Sequence, residues 1–205
     1  MFIAGLSYYK KLSKNRSFAI ADYLLRLIDD PNASILDFGS GNMYLAERIS
    51  EKLPEAKITG IDVIEDQNFD RELLKKYPNI SFQKYDGIKI PFPDGHFDIA
   101  VASAVMHHTP DPEYFLSELK RVVKKGGPIL LVEEMYHNPI DKFFVASEDL
   151  ILNKLKEGVP VPLNFRSYKH YKNEFERQHL EILFEGYVRP SFPWKHHYVF
   201  KLGVK

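Results

Sequence analysis

Short apolar runs alternate with amphipathic segments along the first two thirds of the chain. Strands are predicted at residues 34–38, 57–63, 80–86, 97–105 and 126–134. The run at 97–105 is nearly continuous, as is typical of a strand that is covered on both faces, whereas 80–86 alternates between apolar and polar residues. Between the strands, apolar residues recur three or four positions apart, which predicts helices at residues 15–29, 43–52, 70–77 and 111–124. Strands alternating with helices through short connections predict an α/β fold with a doubly wound parallel sheet.

The last third of the chain follows a different pattern. Helices are predicted at residues 140–157 and 169–178, and strands at 180–188 and 195–204. Because the connection between these two strands is short, they must be antiparallel neighbours. The parallel sheet is therefore expected to end in an antiparallel pair.

The domain count follows from the chain's length and from the absence of repeats and linkers. A chain of 205 residues without internal repeats or low-complexity tracts is expected to form one domain. We expect an N-terminal helical cap at 1–32, a ligand-binding core at 33–134 and a C-terminal part at 135–205 that completes the sheet.

Composition excludes several classes of function. Lys+Arg and Asp+Glu both number 28, so net charge gives no reason to expect binding to nucleic acid or to an anionic membrane. Without cysteine there is no disulfide, zinc–thiolate site or thiol nucleophile. Neither a secretion signal nor an apolar run near the ~18 residues of a membrane helix is present. We expect a soluble cytoplasmic protein without a metal site.

The segment "ILDFGSGNMYLAERI" places two glycines between a strand and a helix. Gly39 and Gly41 allow a sharp turn and the close approach of a ligand, and the start of a helix attracts anions. Many strand-to-helix turns need glycine for geometry alone, so this pair is weak evidence by itself.

Acidic residues at three strand ends strengthen the case for a ligand site. Asp37, Asp62 and Asp86 lie at or near the ends of the first three predicted strands, where open α/β sheets bind ligands. Asp62 has the offset of the acidic residue that meets ribose hydroxyls in dinucleotide folds. Capping of the next turn is the alternative role for Asp62.

These motifs resemble those of class I S-adenosylmethionine-dependent methyltransferases. The resemblance covers about residues 33–134, and "PFPDGHFDIAVASAVMHH" is its most specific part. It is greatest to the branch that includes small-molecule and quinone-biosynthesis methyltransferases. It implies the strand order 3-2-1-4-5-7-6, S-adenosylmethionine as cofactor and methyl transfer to a small-molecule acceptor.

The resemblance also assigns residues to the methionine half of the cofactor. Asp37, Gly39, Ser40 and Gly41 would form the loop around it, with the cofactor carboxylate meeting backbone amides. Ser103, at the end of the fourth strand, would lie near the sulfonium.

A second group of residues would hold the adenosine half. Asp62 would bind the ribose hydroxyls, and Val63 would lie beside the adenine. Asp86 would face the adenine amino group, with Gly87 allowing close approach. All four belong to the ends of the second and third strands.

His107 is the candidate general base, because it follows the fourth strand, where an acceptor should lie. Many methyl transfers need no base, and a structural histidine is the alternative; His108 is expected to cap or pack. Phe165, Tyr168 and Tyr171 are candidates for an acceptor pocket, although the hydrophobic core is the favoured place for them.

Met43 departs from the family pattern, since it replaces the third glycine of the turn. We expect Met43 to have helical dihedral angles, which need no glycine, and its side chain to narrow the pocket.

Two other functions remain open. A nicotinamide-dependent oxidoreductase is disfavoured because Tyr44 stands where its last glycine belongs. A non-catalytic binding or regulatory module is not dismissed. A nucleic-acid methyltransferase is less favoured, given the neutral charge and the lack of an Asn-Pro-Pro-Tyr motif.

Overall fold

The computed structural model describes residues 2–66, 69–153, 164–188 and 197–205. Within these residues one mixed sheet contains seven strands in the order β3-β2-β1-β4-β5-β7-β6. The strands are β1 (Ser34–Phe38), β2 (Lys57–Asp62), β3 (Ile80–Lys84), β4 (Ile99–Ser103), β5 (Pro128–Glu134), β6 (Leu180–Val188) and β7 (His197–Val204). The first five pair in parallel, and β7 is antiparallel to both β5 and β6. The predicted fold class and strand order are confirmed.

Six helices connect these strands within the described residues. They are α1 (Phe2–Leu24), α2 (Tyr44–Lys52), α3 (Glu72–Lys76), α4 (Pro112–Val122), α5 (Pro139–Asn153) and α6 (Tyr168–Arg177). Two 3₁₀ turns cover Leu25–Leu27 and Met106–His108. Residues 154–157 of the helix predicted at 140–157 lie outside the described residues, as do residues 195–196 of the last predicted strand.

The first helix is much longer than its apolar pattern predicts. We expected it to begin at residue 15, but it begins at Phe2. Polar contacts with α2 hold the helix: Lys14, just before the predicted start, pairs with Glu47 at 2.7 Å, and Asp22, within the predicted segment, pairs with Arg48 at 2.8 Å. Tertiary ion pairs of this kind leave no periodic signal in the sequence.

Buried side chains form a core on each face of the sheet. One core joins the sheet to α4 and α6, for example through Phe115 and Phe175. The other joins it to α1 and α2 through residues such as Leu24 and Ile49. The central strands β1, β4 and β5 are thus covered on both sides, which explains their largely apolar sequences. The edge strand β3 is more exposed.

Local capping fixes α4 as the sequence predicts. The Asp111 side chain accepts a hydrogen bond from the Tyr114 amide at 2.9 Å, and Pro112 takes the first helical position. Arg121, near the end of the same helix, donates to the carbonyls of Ile90 and Phe92. These bonds anchor the connection between β3 and β4, which contributes to the rim of the sheet.

At the carboxyl ends of the parallel strands, polar residues replace apolar ones on the face that carries α1 and α2. Because side chains alternate along a strand, this face receives Asp37, Asp62, Ser103 and Glu134 from four neighbouring strands and His197 from β7. A polar row therefore crosses the rim of the sheet.

No helix among the described residues is both long enough and apolar enough to span a membrane.

Candidate functional site

A cavity of about 510 Å³ opens at the carboxyl ends of β1, β2, β3 and β4. Its volume is within the range of about 300–1,000 Å³ that is typical of small-molecule sites. Six residues predicted to bind the cofactor line it, namely Gly39, Gly41, Asp62, Val63, Asp86 and Gly87. The other predicted site residues, Asp37, Ser40, Ser103 and His107, lie behind or beside its wall.

The two turn glycines have different structural roles. Both have positive φ, +70° for Gly39 and +50° for Gly41. A Cβ on Gly39 would lie 2.1 Å from Cγ2 of Val105, so glycine is required there by packing as well. A Cβ on Gly41 would meet no protein atom within 4 Å. The open side of Gly41 is the place where a ligand can approach the backbone.

The amides of the turn are already paired inside the fold. Those of Gly39 and Ser40 both donate to the Ile61 carbonyl, at 2.9 and 3.0 Å. The Gly41 amide donates to Asp62 Oδ2 at 2.9 Å. In this conformation the three amides are therefore not available as the donors we expected for a ligand carboxylate.

Asp62 ties the turn to β2. Its Oδ2 accepts from Gly41, and its Oδ1 accepts from the Ile64 amide at 3.2 Å. Burial raises the pKa of the Asp62 carboxyl, and these backbone hydrogen bonds oppose the rise. A carboxylate oxygen accepts more than one hydrogen bond, so Asp62 can hold the loop and still receive hydroxyl groups from the cavity.

Asp37 and Ser40 bring polar atoms into the buried region beside the turn. Asp37 is 2% exposed and Ser40 8% exposed. Within the described chain, Asp37 Oδ2 and Ser40 Oγ have no hydrogen-bond partner. Burial, together with the charge of Asp62, raises the pKa of Asp37 to about 7. Unpaired buried polar atoms of this kind are expected where a polar ligand group completes the site.

Met43 differs from the sequence-based expectation. It has left-handed dihedral angles, φ 62° and ψ 14°, and α2 begins at the following residue. The predicted helical conformation is wrong, because the turn must reverse once more before the helix starts. Its side chain is fully buried in the core under α1 and α2 and is absent from the cavity wall, so it does not narrow the pocket.

The far end of the cavity has an aromatic wall that the sequence analysis missed. Tyr85, Phe38 and Phe115 border it, and the ring centroids of Phe38 and Phe115 are 5.3 Å apart. Tyr85 directly precedes Asp86, so its position in the sequence was an available signal. Phe115 gave no such signal, because its helical spacing is that of any core residue.

The segment after β4 forms another wall, and it brings a different histidine to the cavity. Ala104, Val105 and His108 line the cavity, whereas His107 does not. Ala104 has a positive φ of 51°, which ends the strand early and turns the chain into the Met106–His108 3₁₀ turn.

His107 is held in the core behind this wall. It is 3% exposed, its Nδ1 pairs with the buried Glu133 carboxylate, and its ring stacks on Phe165 with centroids 4.3 Å apart. Glu133 also accepts a hydrogen bond from the Met106 amide at 2.9 Å. A carboxylate that pairs with Nδ1 fixes the orientation and tautomer of an imidazole.

Of the three candidates for an acceptor pocket, Phe165 and Tyr171 are buried in the core, each 2% exposed, and Tyr168 is partly buried against it.

Helix α1 reaches both the turn and the far side of the polar row. Asn42 donates to Ser13 Oγ at 3.3 Å. Arg16 contacts Nε2 of His197 at 2.6 Å and the Glu134 carboxylate at 3.5 Å. The N-terminal helix thus covers the rim between the glycine turn and the end of β5.

Comparison with known proteins agrees with this geometry. Residues 36–131 match a family model described as a methyltransferase domain. The chain is 35% identical over 113 residues to a demethylmenaquinone methyltransferase of Chlorobaculum parvum, an alignment that covers 53% of this chain and 44% of that protein. It is 28% identical over 134 residues to a ubiquinone/menaquinone biosynthesis C-methyltransferase of Cupriavidus metallidurans, covering 63% and 55%. The chain therefore spans about half the length of these relatives.

A solved structure shares the fold over nearly the whole chain. It is a SAM-dependent methyltransferase from Aquifex aeolicus, with a TM-score of 0.70, 21% identity, and coverage of 97% of this chain and 98% of that one. Residues 36–131 are thus similar to a methyltransferase domain, and the fold is shared with a SAM-dependent methyltransferase.

Proposed function

We propose that this protein binds S-adenosylmethionine in the cavity beside the glycine turn and transfers its methyl group to a small molecule. The observation that carries the proposal is the arrangement around the cavity. The open side of Gly41 lies at one end, the Asp62 and Asp86 carboxylates line the wall, and buried polar atoms of Asp37 and Ser40 lie behind the turn.

The carboxylates and aromatic rings of this site match the chemistry of the cofactor. Asp62 accepts hydrogen bonds from the ribose diol, and Tyr85 and Phe115 offer flat apolar surfaces to the adenine. Asp37, which has no cationic partner among the described residues, faces the α-ammonium group. The cofactor supplies an electrophilic methyl group on a sulfonium, so the protein has mainly to bind, orient and exclude water.

His107 remains our proposal for a general base, with Glu133 as its positioning residue. The Glu133 carboxylate stabilises the imidazolium that forms when the ring takes a proton. An acceptor with an O–H or acidic C–H group would use this pair.

A small-molecule acceptor is supported by the relatives and by charge. One of the similar proteins is named a demethylmenaquinone methyltransferase and another a ubiquinone/menaquinone biosynthesis C-methyltransferase. The net charge of this chain is zero, which gives no electrostatic attraction to a polyanion. We therefore propose a neutral, apolar or aromatic acceptor, with α1 covering it during transfer.

Thermal unfolding with S-adenosylmethionine, S-adenosylhomocysteine and NADH in parallel tests the cofactor. Ligand at about 100 times its dissociation constant adds roughly 2.7 kcal/mol, a rise in Tm of roughly 5–11 °C for a chain of this size. We expect the rise with the two sulfur ligands alone. A rise in Tm with NADH alone would indicate an oxidoreductase. No rise with any of the three ligands would indicate that the cavity no longer binds the cofactor.

The acceptor class is tested by transfer of a labelled methyl group to a panel of quinols, phenols and amines. If the label is incorporated into phenolic compounds by the wild type but not by His107→Asn, the result supports His107 as the general base. Cofactor binding without transfer to any of them would favour the non-catalytic alternative.

A further inference from the structure

The Asp37 carboxyl is buried in a place where an ionised form has little to stabilise it. It is 2% exposed and is located in β1, two residues before the first glycine of the turn. Its Oδ2 receives no hydrogen bond from any described residue. A carboxylate in such a position is strongly disfavoured relative to the neutral acid.

Of the charged groups on the surrounding elements, the Asp62 carboxylate on β2 increases this effect. Burial, together with the repulsion by Asp62, raises the pKa of Asp37 to about 7. From α2, Glu47 is paired with Lys14 of α1 at 2.7 Å. From α1, Arg16 contacts Glu134 and His197 rather than Asp37. From β4, the nearby polar side chain is Ser103, which does not titrate. No described cation pairs with Asp37.

We propose that Asp37 is a protonated acid in the empty site and that it releases its proton to solvent when the α-ammonium group of the cofactor binds. This inference rests on the proposed function. The ligand ammonium keeps its charge, the Asp37 O–H bond breaks, and the carboxylate that forms pairs with the ammonium. One proton leaves for each Asp37 that was protonated before binding.

The geometry confines this effect to the amino-acid end of the ligand. Asp37 and Ser40 lie behind the glycine turn, whereas Asp62 and Asp86 line the adenosine part of the cavity. A nucleoside without the amino-acid tail brings no cation to Asp37 and should bind without releasing its proton. Affinity for the complete ligand should rise with pH up to the Asp37 pKa and level off above it, because the proton and the ammonium compete.

Isothermal titration calorimetry measures this proton directly. The probes are S-adenosylhomocysteine and 5′-methylthioadenosine, which lacks the amino-acid tail, in buffers that differ in ionisation enthalpy. For S-adenosylhomocysteine we expect release of about 0.9 proton near pH 6, falling to about 0.5 near pH 7. 5′-Methylthioadenosine should release close to none at either pH. In Asp37→Asn, which preserves the shape of the neutral acid, S-adenosylhomocysteine should bind with no release.

The outcomes separate this inference from the proposed function. Tight binding of S-adenosylhomocysteine with no buffer dependence near pH 6 would overturn the inference and leave cofactor binding intact. Equal release with both nucleosides would also overturn it, because the proton would then come from the adenosine end. If neither nucleoside binds, the proposed function itself fails. The wild-type comparison of the two probes needs no variant, so the test stands even if Asp37→Asn does not fold.

Discussion

The thioether of Met43 occupies the space that a side chain at Gly60 would need. A Cβ built on Gly60 would lie 2.4 Å from Met43 Sδ and 2.6 Å from its Cε. Met43 is fully buried there, with a φ of 62°. The last residue of the glycine turn is therefore fixed by packing against β2, in a backbone conformation that glycine adopts more easily than methionine.

The left-handed conformation of Met43 predicts an unusual order of variant stability. Met43→Ala should lower the free energy of unfolding by about 2–5 kcal/mol, because a buried side chain is lost. Met43→Gly should be no less stable than Met43→Ala, since relief of about 1–2 kcal/mol of backbone strain offsets the missing methyl group. Urea unfolding measures both. In a helical conformation, glycine would be less stable than alanine by about 1 kcal/mol or more, and that result would contradict the structure.

The contact between Met43 and Gly60 predicts a coupled pair. Gly60→Ala alone should cost about 1–3 kcal/mol of unfolding free energy through overpacking. In a Met43→Ala background the same change should cost less, because the colliding atoms are gone. A double-mutant cycle in urea gives the coupling energy, and additivity within about 0.5 kcal/mol would show that the two side chains do not share this space.

Asp62 is expected to act on ligand binding and on the turn at the same time. Asp62→Asn keeps one carbonyl acceptor and should weaken 5′-methylthioadenosine binding about 10- to 150-fold, as loss of a charged hydrogen-bond acceptor costs about 1.5–3 kcal/mol. Asp62→Ala should weaken it further, because the Gly41 amide also loses its partner. Calorimetry gives the affinities and urea unfolding the stabilities. Unchanged affinity in a folded Asp62→Asn variant would show that Asp62 does not bind the ribose hydroxyls.

The sheet was predictable because its signals are local and repeated. The parallel strands are apolar runs or, in β3, an alternating segment, and consecutive parallel strands must end at the same rim. The positions of Asp37, Asp62 and Asp86 therefore followed without any contact information. The length of β4 did not follow. We expected a strand at 97–105, but Ala104 adopts a positive φ and ends it at Ser103.

The parts of the site that were missed depend on contacts between distant residues. The conformation of Met43 is set by a vacancy at Gly60, and the orientation of His107 by Glu133, which is 26 positions away. No pattern within the histidine pair shows which ring faces the cavity. The 3₁₀ turn at Met106–His108 decides it by directing neighbouring side chains to opposite sides.

The two histidines should therefore separate binding from stability. His108→Ala should raise the dissociation constant of S-adenosylhomocysteine about 5–30-fold, roughly 1–2 kcal/mol of lost contact in the cavity wall. His107→Ala should leave this constant within about twofold but lower unfolding free energy by about 2–4 kcal/mol, because the buried Glu133 loses its partner. His107→Gln, which keeps a donor for Glu133, serves if His107→Ala is too unstable. If instead His107→Ala weakened binding and His108→Ala did not, His107 would be the histidine that contacts the cofactor.

The ion pair between Glu113 and Arg166, which lies outside the cavity, predicts that the fold loses stability at low pH. Arg166 donates to Glu113 at 2.7 Å and 3.2 Å, and His170 contacts the same carboxylate. The Arg166 hydrogen bonds are the main cause that lowers the Glu113 pKa to about 2. Because the folded-state pKa lies below the unfolded one, the ionised carboxylate stabilises the fold above about pH 4.5, by about 1–3 kcal/mol. This stability is lost as the pH falls towards about 2.

Glu113→Gln should accordingly be less stable than the wild type by about 1–3 kcal/mol near pH 7, with a gap that narrows below about pH 5. Urea unfolding at several pH values measures the gap. Glu176→Gln, at an exposed position on α6, is the control and should differ from the wild type by less than about 0.5 kcal/mol throughout. A Glu113→Gln gap that stays constant down to about pH 3 would mean that the pair does not depress the Glu113 pKa, since only a lowered pKa makes stability depend on ionisation here.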